Sequence, residues 1–324
     1  MKHGSRITGI GHFVPENIVT NADIVNMGVD TSDEWIRSRT GIESRALAKP
    51  SQATSDLAIL ATTEAIKKSG ITKDEIDLIV VGTCTPDVAT PNVGVIIQES
   101  LGLNSCPAFS VEAACSGFIY ALNIANKFIL SGESKCALVV GAETLSRITD
   151  WNDRNTCVLF ADGAGAAILK PSEDTGIIYS EISADGSYSD LLYVPYGTSR
   201  KPINEKENDY FLQMKGNEVF KVAVKKLESI AINTMRENDL TADDIDWFIP
   251  HQANIRIIQA VAKRLDMPME KVIVTLSEHG NTSAASIPLA LDKAITDGRI
   301  SKGDRILLQS FGAGFTWGTV LLTL

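Results

Sequence analysis

Two distant stretches of the chain resemble each other, and this repeat limits the folds that the chain can adopt. Residues 71–80 read ITKDEIDLIV and residues 240–249 read LTADDIDWFI, at an offset of 169 residues (240 − 71). At the same offset, the apolar residues 137–140 match residues 306–309. Although any two βα units look alike, several matches at one offset favour an internal duplication. Two similar halves are therefore expected, with equivalent loops that face one shared site.

Apolar runs that suit buried strands alternate with helical segments. Residues 77–82, 108–111 and 136–141 are mostly apolar, as expected of strands that are covered on both faces. Such strands, alternating with helices, indicate an α/β protein with a central sheet between two layers of helices. We place the halves at residues 1–170 and 171–324.

Local signals predict several further elements. Residues 54–69 are amphipathic with helical spacing and end at Gly70, and residues 91–101 are also expected to form a helix. Asn21 is expected to cap a short helix. Residues 181–208 are polar with scattered apolar positions, and we expect them to cross the surface.

Composition excludes several classes of protein. The chain has 324 residues and a net charge of −10, which argues against nucleic-acid binding and against a basic membrane-surface protein. No apolar run approaches the roughly 20 residues needed to span a bilayer. Five scattered cysteines and an N-terminus without a secretory core predict reduced thiols in the cytoplasm. The four histidines show no metal-ligand spacing, so no metal site is expected.

One cysteine stands between a predicted strand and a predicted helix. Residues 108–111 form the strand, and apolar residues after Cys115 recur with helical spacing up to Gly132. The free N–H groups and positive dipole end of a helix favour a thiolate. The neighbours within residues 113–117 are small and leave room for a substrate. Cys115 is either a nucleophile or a buried structural cysteine, and this segment leaves both interpretations open.

Two polar side chains follow predicted strands of the second half. His251 comes after the apolar residues 247–250, and Asn281 lies near the position that the repeat makes equivalent to Cys115. Alone, His251 could be held by backbone partners in a turn, and Asn281 could cap a helix. All three residues, however, fall at the carboxyl ends of strands, where such sheets bind ligands.

A cysteine, a histidine and an asparagine support two kinds of chemistry. In a papain-like hydrolase the histidine is the general base and the asparagine orients it. In a condensing enzyme the cysteine carries an acyl group, while the histidine and the asparagine donate hydrogen bonds to a second carbonyl as a malonyl group loses carbon dioxide. Both arrangements run in the order Cys, His, Asn, so the order does not separate them.

Four motifs resemble those of the β-ketoacyl-acyl-carrier-protein synthase III family. They are EAACSG at 112–117, PHQANIR at 250–256, GNTSAASIP at 280–288 and FGAGFTWG at 311–318. The resemblance covers essentially the whole chain. It implies the thiolase fold, in which duplicated βαβαβ halves form αβαβα layers, and the initiating condensation of type II fatty-acid synthesis. It also implies a homodimer without a cofactor, because coenzyme A (CoA) thioesters serve as substrates.

The resemblance further implies a ping-pong reaction. An acyl-CoA acylates Cys115, and malonyl-acyl carrier protein then loses carbon dioxide and attacks to give a 3-oxoacyl product. His251 and Asn281 would hold the malonyl thioester carbonyl. The backbone N–H groups of Cys115 and Ala313 would form the first oxyanion hole, and Phe311 would shape the decarboxylation site.

The motifs also assign substrate contacts. Trp35 would stack on the adenine of CoA, Arg154 would flank it from the other side, and Arg39 would meet phosphate. The alternative is a surface aromatic among solvated charges. The positions that would line the pantetheine channel are Asn217, Phe220 and Asn254.

An acidic carrier protein requires a local basic face on this acidic chain. Six basic residues lie on the two predicted helices nearest to the His251 motif. The resemblance favours docking for four of them, namely Lys221, Arg256, Lys263 and Arg264. We expect Lys225 and Lys226 to form a solvated helix face.

One position departs from the family pattern. Thr90 stands before Pro91, where many family members with short primers carry a phenylalanine that is thought to reach the partner's acyl pocket. The smaller Thr90 allows a longer or branched primer. Three alternatives to the fatty-acid enzyme remain: a related synthase of secondary metabolism, a Cys-His-Asn hydrolase, and a non-catalytic scaffold. The intact set of Cys115, His251 and Asn281 argues against the scaffold.

Overall fold

The computed structural model describes residues 4–174, 176–197, 199 and 210–324, which form two large sheets. The first sheet contains β1 (Gly4–Phe13), β4 (Leu78–Gly82), β5 (Ala108–Val111), β6 (Ala137–Thr144) and β7 (Asp162–Ser172), in the order β1-β7-β6-β4-β5. The second contains β8 (Ile177–Ala184), β11 (Trp247–Pro250), β12 (Arg305–Gly312) and β13 (Thr316–Thr323), in the order β11-β12-β13-β8.

The two sheets have equivalent topologies. In the first, β4 and β6 run parallel with Leu78 opposite Ala137, and in the second, β11 and β12 run parallel with Trp247 opposite Ile306. Both members of the second pair lie 169 residues after those of the first, which is the offset of the sequence repeat. Two antiparallel strands come next in the order of each sheet. They are β7 and β1 beside β6 in the first sheet, and β13 and β8 beside β12 in the second. The duplicated α/β fold is thus confirmed.

The exact division at residues 170 and 171 stays a prediction. The last strand of the first sheet, β7, ends at Ser172, and the first strand of the second sheet, β8, begins at Ile177. The predicted division therefore falls just inside β7.

Helices complete a five-layer αβαβα arrangement. In the middle, α5 (Gly117–Ser131) and α10 (Ser286–Thr296) share one core with side chains of both sheets. The outer face of the first sheet is covered by α3 (Thr54–Ser69) and α4 (Val93–Ser100). The outer face of the second is covered by α7 (Gly216–Glu237) and α8 (Ile255–Arg264). Among the described residues, no helix is both long enough and apolar enough to cross a membrane.

Shorter elements surround this core. The short helices are α1 (Asn21–Asn26), α2 (Asp33–Thr40), α6 (Arg154–Cys157) and α9 (Leu276–His279). Two small antiparallel pairs join β2 (Asn17–Thr20) to β3 (Ser44–Leu47) and β9 (Leu192–Tyr193) to β10 (Gln213–Met214).

Two predicted helices are present, and a local feature of the sequence sets one end of each. The predicted helix 54–69 coincides with α3, which ends because Gly70 adopts a φ of 70° in the left-handed region that favours glycine. The helix expected over 91–101 is shorter, at Val93–Ser100, because Asn92 caps it: its side chain accepts the Val95 N–H.

One local expectation is wrong. Asn21 does not cap α1; Thr20 does so, and its hydroxyl accepts the Asp23 N–H at 3.2 Å, while buried Asn21 donates to the Ile42 carbonyl. The segment expected to cross the surface contains no buried residue between positions 181 and 197, although residues 181–184 belong to the edge strand β8. Its residues 198 and 200–208 lie outside the described part of the chain.

Candidate active site

The three predicted chemical residues line one cavity. Cys115, His251 and Asn281 face a cavity of about 570 Å³, together with Phe311. Cys115 follows β5, His251 follows β11 and Asn281 precedes α10. Both halves of the fold therefore contribute to this site.

Cys115 lies on a sharp connection between a strand and a helix. It occupies a single 3-10 turn, Ala114–Ser116, and α5 begins at Gly117 rather than at the cysteine. The end of β12 packs directly against this turn, since a Cβ on Gly312 would lie 2.7 Å from the backbone nitrogen of Cys115. Only glycine permits this approach without a shift of the backbone.

The ionisation of Cys115 differs from the expectation. Burial raises the pKa of the thiol to about 12, although a hydrogen bond with the Ser283 side chain lowers it. The carboxyl groups of Glu143 and Glu112 add to the rise in pKa. The backbone N–H of Cys115 lowers the pKa of the thiol, as expected of this turn, but burial and neighbouring negative charge outweigh that effect.

His251 is a buried, neutral imidazole. Its backbone N–H donates to the Gln309 carbonyl at 2.7 Å, which fixes it at the end of β11. Its Nδ1 lies 2.7 Å from the Ser286 hydroxyl, and that hydroxyl also receives the Gln252 N–H at 3.4 Å. This arrangement favours donation from Ser286 to Nδ1, which leaves the ring hydrogen on Nε2. Burial lowers the pKa of His251 to about 3, so the ring stays neutral near pH 7.

Asn281 is held by its backbone and by one oxygen. Its backbone N–H donates to the Leu159 carbonyl and its carbonyl accepts the Ala161 N–H, both at 2.9 Å. Its side-chain Oδ1 accepts the Ser283 N–H at 2.9 Å. Among the described residues, no hydrogen-bond partner is found for the side-chain NH₂ group, which leaves that group available as a donor in the cavity.

The predicted CoA contacts lie along the same cavity. Its lining includes all six of the assigned positions, which are Trp35, Arg39, Arg154, Asn217, Phe220 and Asn254. The Arg154 guanidinium lies 4.8 Å from the centre of the Trp35 ring, so the two already form a cation–π pair. Asn254 caps α8 and donates to the Arg39 carbonyl at 3.0 Å, so much of its side-chain hydrogen bonding is already used.

The basic residues near the cavity differ in their surroundings. Lys221, Arg256 and Lys263 are exposed, and Arg256 lies 5.7 Å from the Phe220 ring. Arg264 is exposed but bonded to Glu228.

The expectation of a solvated Lys226 is wrong. Its ammonium lies 4.2 Å from the Trp317 ring centre and bonds to Asp185 at 3.4 Å. Because the packed Trp317 ring draws the side chain inward, Lys226 is only partly exposed, whereas Lys225 is exposed as expected.

The remaining assigned positions, Ala313, Phe311 and Thr90, differ in what surrounds them. The Thr316 hydroxyl donates to the Ala113 carbonyl at 2.8 Å and contacts the Ala313 carbonyl at 3.2 Å, which ties the cysteine turn to the turn that holds Ala313. The Phe311 ring packs 4.6 Å from that of Phe315. Thr90 is exposed and does not line this chain's own cavity.

Sequence reasoning missed three polar residues next to the site. Ser283 and Ser286 lie inside the GNTSAASIP motif, where only a contact with Cys115 or His251 distinguishes them from helix-start serines. Glu143 follows the apolar residues 137–142, and an acidic side chain in a buried strand was the available signal.

The chain is similar to known proteins over nearly its whole length. The family described as 3-oxoacyl-[acyl-carrier-protein] synthase III matches residues 109–186, and the C-terminal part of the same synthase matches residues 235–324. A β-ketoacyl-[acyl-carrier-protein] synthase III of Xanthomonas campestris is 56% identical over 318 residues, which are 98% of each chain.

Solved structures show the same similarity. The structure matches a 3-oxoacyl-[acyl-carrier-protein] synthase III from Aquifex aeolicus with a TM-score of 0.93 and 44% identity, over 99% of this chain and 100% of that one. It matches the corresponding synthase from Thermus thermophilus with a TM-score of 0.92 and 42% identity, over 98% of this chain and 99% of that one.

Proposed function

Because the chain belongs to the β-ketoacyl-acyl-carrier-protein synthase III family, and is thus an acyltransferase that performs the initiating condensation of fatty-acid synthesis, we propose how its own residues divide that reaction. Cys115 carries the acyl group. His251 and Asn281 activate the malonyl thioester.

In the first half-reaction, the Cys115 sulfur attacks the carbonyl carbon of an acyl-CoA. A carbon–sulfur bond forms to Cys115, the bond to the CoA sulfur breaks, and CoA leaves as a thiolate that takes up a proton. The backbone N–H groups of Cys115 and Ala313 stabilise the oxyanion. The close approach of Gly312 to the Cys115 nitrogen supports this pairing, since Ala313 is the next residue.

In the second half-reaction, malonyl-acyl carrier protein loses carbon dioxide. The electron pair of the broken carbon–carbon bond forms an enolate, which attacks the acyl carbonyl and expels the Cys115 sulfur. His251 Nε2–H and the Asn281 NH₂ group donate to the enolate oxygen. The apolar ring of Phe311 favours loss of the malonyl carboxylate charge.

One observation carries this division of roles: the side-chain oxygen of Asn281 is bonded to the Ser283 N–H, and the Nδ1 atom of His251 is bonded to Ser286. A papain-like hydrolase would require Asn281 to orient His251. Here each side chain is held by its own serine and keeps an N–H donor for the cavity. This arrangement suits two donors acting on one carbonyl.

The surface around the cavity suits the two substrates. Trp35 and Arg154 flank the adenine of CoA, Arg39 meets phosphate, and the pantetheine arm passes the residues Asn217, Phe220 and Asn254. Lys221, Arg256 and Lys263 receive the acidic carrier protein, and Arg264 assists only when its bond to Glu228 is released. The proposed chemistry needs no metal or organic cofactor, because CoA enters as a substrate.

Further parts of the proposal concern the assembly and the primer. The protein works as a homodimer in the cytoplasm, and Thr90 reaches the acyl pocket of the partner protomer. Support for the placement of Thr90 comes from its exposure and from its absence in the lining of its own cavity. The small side chain predicts that primers longer than acetyl are accepted.

The test is a two-step assay with a panel of acyl-CoAs. Intact mass shows which acyl group loads, and peptide mapping shows where. We expect label on Cys115 and its release as a 3-oxoacyl product after malonyl-acyl carrier protein is added. Release as free acid would support the hydrolase instead. The assignment of the nucleophile would be overturned by label on any of Cys84, Cys106, Cys136 or Cys157.

A further inference from the structure

A buried arginine lies behind the part of the cavity wall that holds Asn281. Arg45, in β3, is 0% exposed. Burial lowers the pKa of Arg45 to about 10, so the side chain remains a cation near pH 7. Among the described residues, its guanidinium bonds to neutral oxygens and forms no ion pair with a carboxylate. A buried cation without a carboxylate partner is costly, so these hydrogen bonds have to compensate for its desolvation.

The guanidinium of Arg45 joins three separate segments. One terminal nitrogen donates to the Val19 carbonyl at 3.3 Å and to the Asn21 side-chain oxygen at 2.9 Å. The other donates to the Val158 carbonyl at 2.9 Å. Val19 lies in β2, Asn21 in α1, and Val158 directly follows α6. Because the planar fork of an arginine offers donors in several fixed directions, this one side chain fastens the segment after α6 to β2 and α1.

The segment after α6 is the one to which Asn281 is bonded. The backbone N–H of Asn281 donates to the Leu159 carbonyl, and its carbonyl accepts the Ala161 N–H, both at 2.9 Å. Leu159 directly follows Val158, and both residues line the cavity, as Asn281 does. The guanidinium of Arg45 is thus one residue removed from the backbone bond that places Asn281.

The stem of Arg45 packs beside the residue that precedes Asn281. That residue, Gly280, adopts a φ of 64° in the left-handed region. A Cβ on Gly280 would lie 3.2 Å from the Cβ of Arg45 and 3.2 Å from the Leu159 carbonyl oxygen. Arg45 therefore borders the Asn281 segment at two points, with its Cβ beside Gly280 and its guanidinium on Val158.

We propose that Arg45 is a positioning residue for Asn281, which keeps the Asn281 NH₂ group aimed at the thioester carbonyl of the malonyl group. The inference rests on the proposed function, in which Asn281 donates to the enolate oxygen. Arg45 does not line the cavity, so it acts through the wall and not on the substrate. Without it, the Val158 carbonyl loses its donor and the segment 158–161 is free to shift. A small displacement of Asn281 then weakens a hydrogen bond whose effect depends on placement.

The network also reaches the region of the proposed CoA contacts, but by bonds that do not involve Arg45. The side-chain NH₂ group of Asn21 donates to Asp33 Oδ1 and to the Ile42 carbonyl, both at 2.8 Å. Asp33 is the first residue of α2, and Ile42 follows the end of that helix. Because α2 keeps these bonds when Arg45 is replaced, the defect should fall on the malonyl step rather than on primer loading.

The experiment is a double-mutant cycle between Arg45 and Asn281. Arg45→Met removes the guanidinium and keeps an apolar side chain in the buried site. It should slow decarboxylation of malonyl-acyl carrier protein by about tenfold or more. Single-turnover acylation at saturating acyl-CoA should change by less than about twofold.

The background in which Arg45 is replaced reveals the path of its effect. In Asn281→Ala, Arg45→Met should change decarboxylation by less than about twofold, because the group that Arg45 positions is absent. In His251→Ala, the full effect of Arg45→Met should remain, since His251 is held by Ser286 and by the Gln309 carbonyl.

Two further variants show whether the loss is specific. Arg45→Lys keeps the positive charge but not the fork, and its decarboxylation should fall between wild type and Arg45→Met. If Arg45→Met does not fold, Arg45→Lys carries the same cycle. The matched control is Asn126→Ala, since Asn126 is 4% exposed and accepts the Ser5 hydroxyl at 2.6 Å, in a bond that joins α5 to β1. It should lower the thermal stability and keep the wild-type ratio of decarboxylation to acylation.

The outcomes separate this inference from the proposed function. If Arg45→Met slows decarboxylation equally in the wild-type and Asn281→Ala backgrounds, Arg45 does not act through Asn281 and the inference is wrong. A parallel loss of acylation and decarboxylation would mean a structural role only, and an unchanged decarboxylation rate would mean no role; both overturn it. If Asn281→Ala alone fails to slow decarboxylation, the proposed role of Asn281 itself is refuted.

Discussion

His251 and Asn281 line the same cavity, and their serine neighbours explain why each side chain is held separately. Ser286 occupies Nδ1 of His251, and the Ser283 N–H occupies Oδ1 of Asn281. Both serines belong to the segment that starts α10, so one element orients both donors. The imidazole remains neutral because it is 6% exposed and has no carboxylate partner among the described residues. A neutral donor suits a carbonyl that becomes negative only during the reaction.

Removal of either donor should separate the two half-reactions. We expect His251→Ala and Asn281→Ala to form acyl-enzyme at Cys115, because neither side chain is needed for the first oxyanion hole. Each should slow malonyl decarboxylation and condensation by roughly 10²–10³, the usual effect of losing one oxyanion donor. Intact mass measures acyl-enzyme, and carbon dioxide release from malonyl-acyl carrier protein measures the second step.

Within each variant, the rate of acyl-enzyme formation is the control for the rate of decarboxylation. If acylation disappears in both variants while decarboxylation survives, His251 is the base that activates Cys115, and the assigned roles are wrong. Ser286→Ala should affect the same step as His251→Ala, but less strongly. It leaves the imidazole in place and removes the hydrogen bond that keeps the ring hydrogen on Nε2.

Single-residue patterns predicted the chemical identity of the site but not its ionisation. Cys115 and His251 could be found because each follows an apolar strand, and all three residues lie within recognisable motifs. The expectation that Asn281 also follows a strand is wrong, because the helix α9 (Leu276–His279) comes directly before it. The pKa of Cys115 could not be predicted from sequence, because it depends on burial and on Glu143. Sheet pairing, rather than sequence proximity, brings Glu143 near the sulfur. Ser283 gave no signal apart from its motif, because its role depends on a contact between the two halves.

At the scale of elements, β12 packs closely against the cysteine turn. The Gly312→Ala variant would place a methyl group 2.7 Å from the Cys115 nitrogen and 3.0 Å from the Ala113 carbonyl. We expect it to displace the turn, lower stability by about 1–3 kcal/mol and slow acylation at least tenfold. Thermal unfolding and single-turnover acylation measure the two effects.

Gly186→Ala is the matched control for that variant. No atom lies within 4 Å of a Cβ built on Gly186, and its backbone is not in the left-handed region. This variant should keep wild-type acylation and stability. Equal acylation rates for Gly312→Ala and wild type would show that β12 and the cysteine turn can move apart without loss of acylation.

The helices α7 and α8 carry the basic residues that we propose as the docking face for the carrier protein. Reversal of Arg256 or Lys263 to Glu should raise the apparent KM for malonyl-acyl carrier protein several-fold and leave primer loading nearly unchanged. Salt should mimic the defect, since exposed charges are screened within about 10 Å at 0.1 M. Steady-state kinetics at two ionic strengths measure this effect.

Lys225→Glu supplies the control, because Lys225 is exposed on α7 but was not assigned to docking. It should leave the KM unchanged. A parallel loss of loading and condensation in Arg256→Glu would mean that Arg256 supports the cavity wall, which it also lines, rather than the carrier protein.

Over the whole molecule, duplication produced two turns of the same shape that carry different residues. Ala114 adopts a φ of 45°, and Ser283, its equivalent at the offset of 169, adopts a φ of 49°. The residue equivalent to Cys115 is Ala284, and Glu112 is equivalent to Asn281. In the proposed reaction, the first half supplies the sulfur, and the second half supplies the two donors that act on the second substrate. The repeat predicted this shared site, but it could not predict which residues each copy would keep.

The choice of primer in the acyl pocket tests the proposed homodimer. Thr90 is exposed and lines no part of its own cavity, so an effect on primer choice requires it to act in the partner protomer. Thr90→Phe should shift the preference among acyl-CoAs toward acetyl by roughly tenfold or more, because the larger ring fills the end of the pocket. Competition between acetyl-CoA and longer acyl-CoAs, read by intact mass of the acyl-enzyme, measures the shift.

Mixed dimers decide which chain Thr90 serves. One protomer carries Cys115→Ala, so that only its partner can be acylated. If Thr90→Phe is placed on the inactive protomer and the active one changes its preference, Thr90 acts across the interface. If the preference changes only when both Thr90→Phe and an intact Cys115 are on the same chain, the residue acts within its own protomer. No shift in either arrangement would show that Thr90 does not face the acyl pocket, and the prediction of a longer primer would lose its basis.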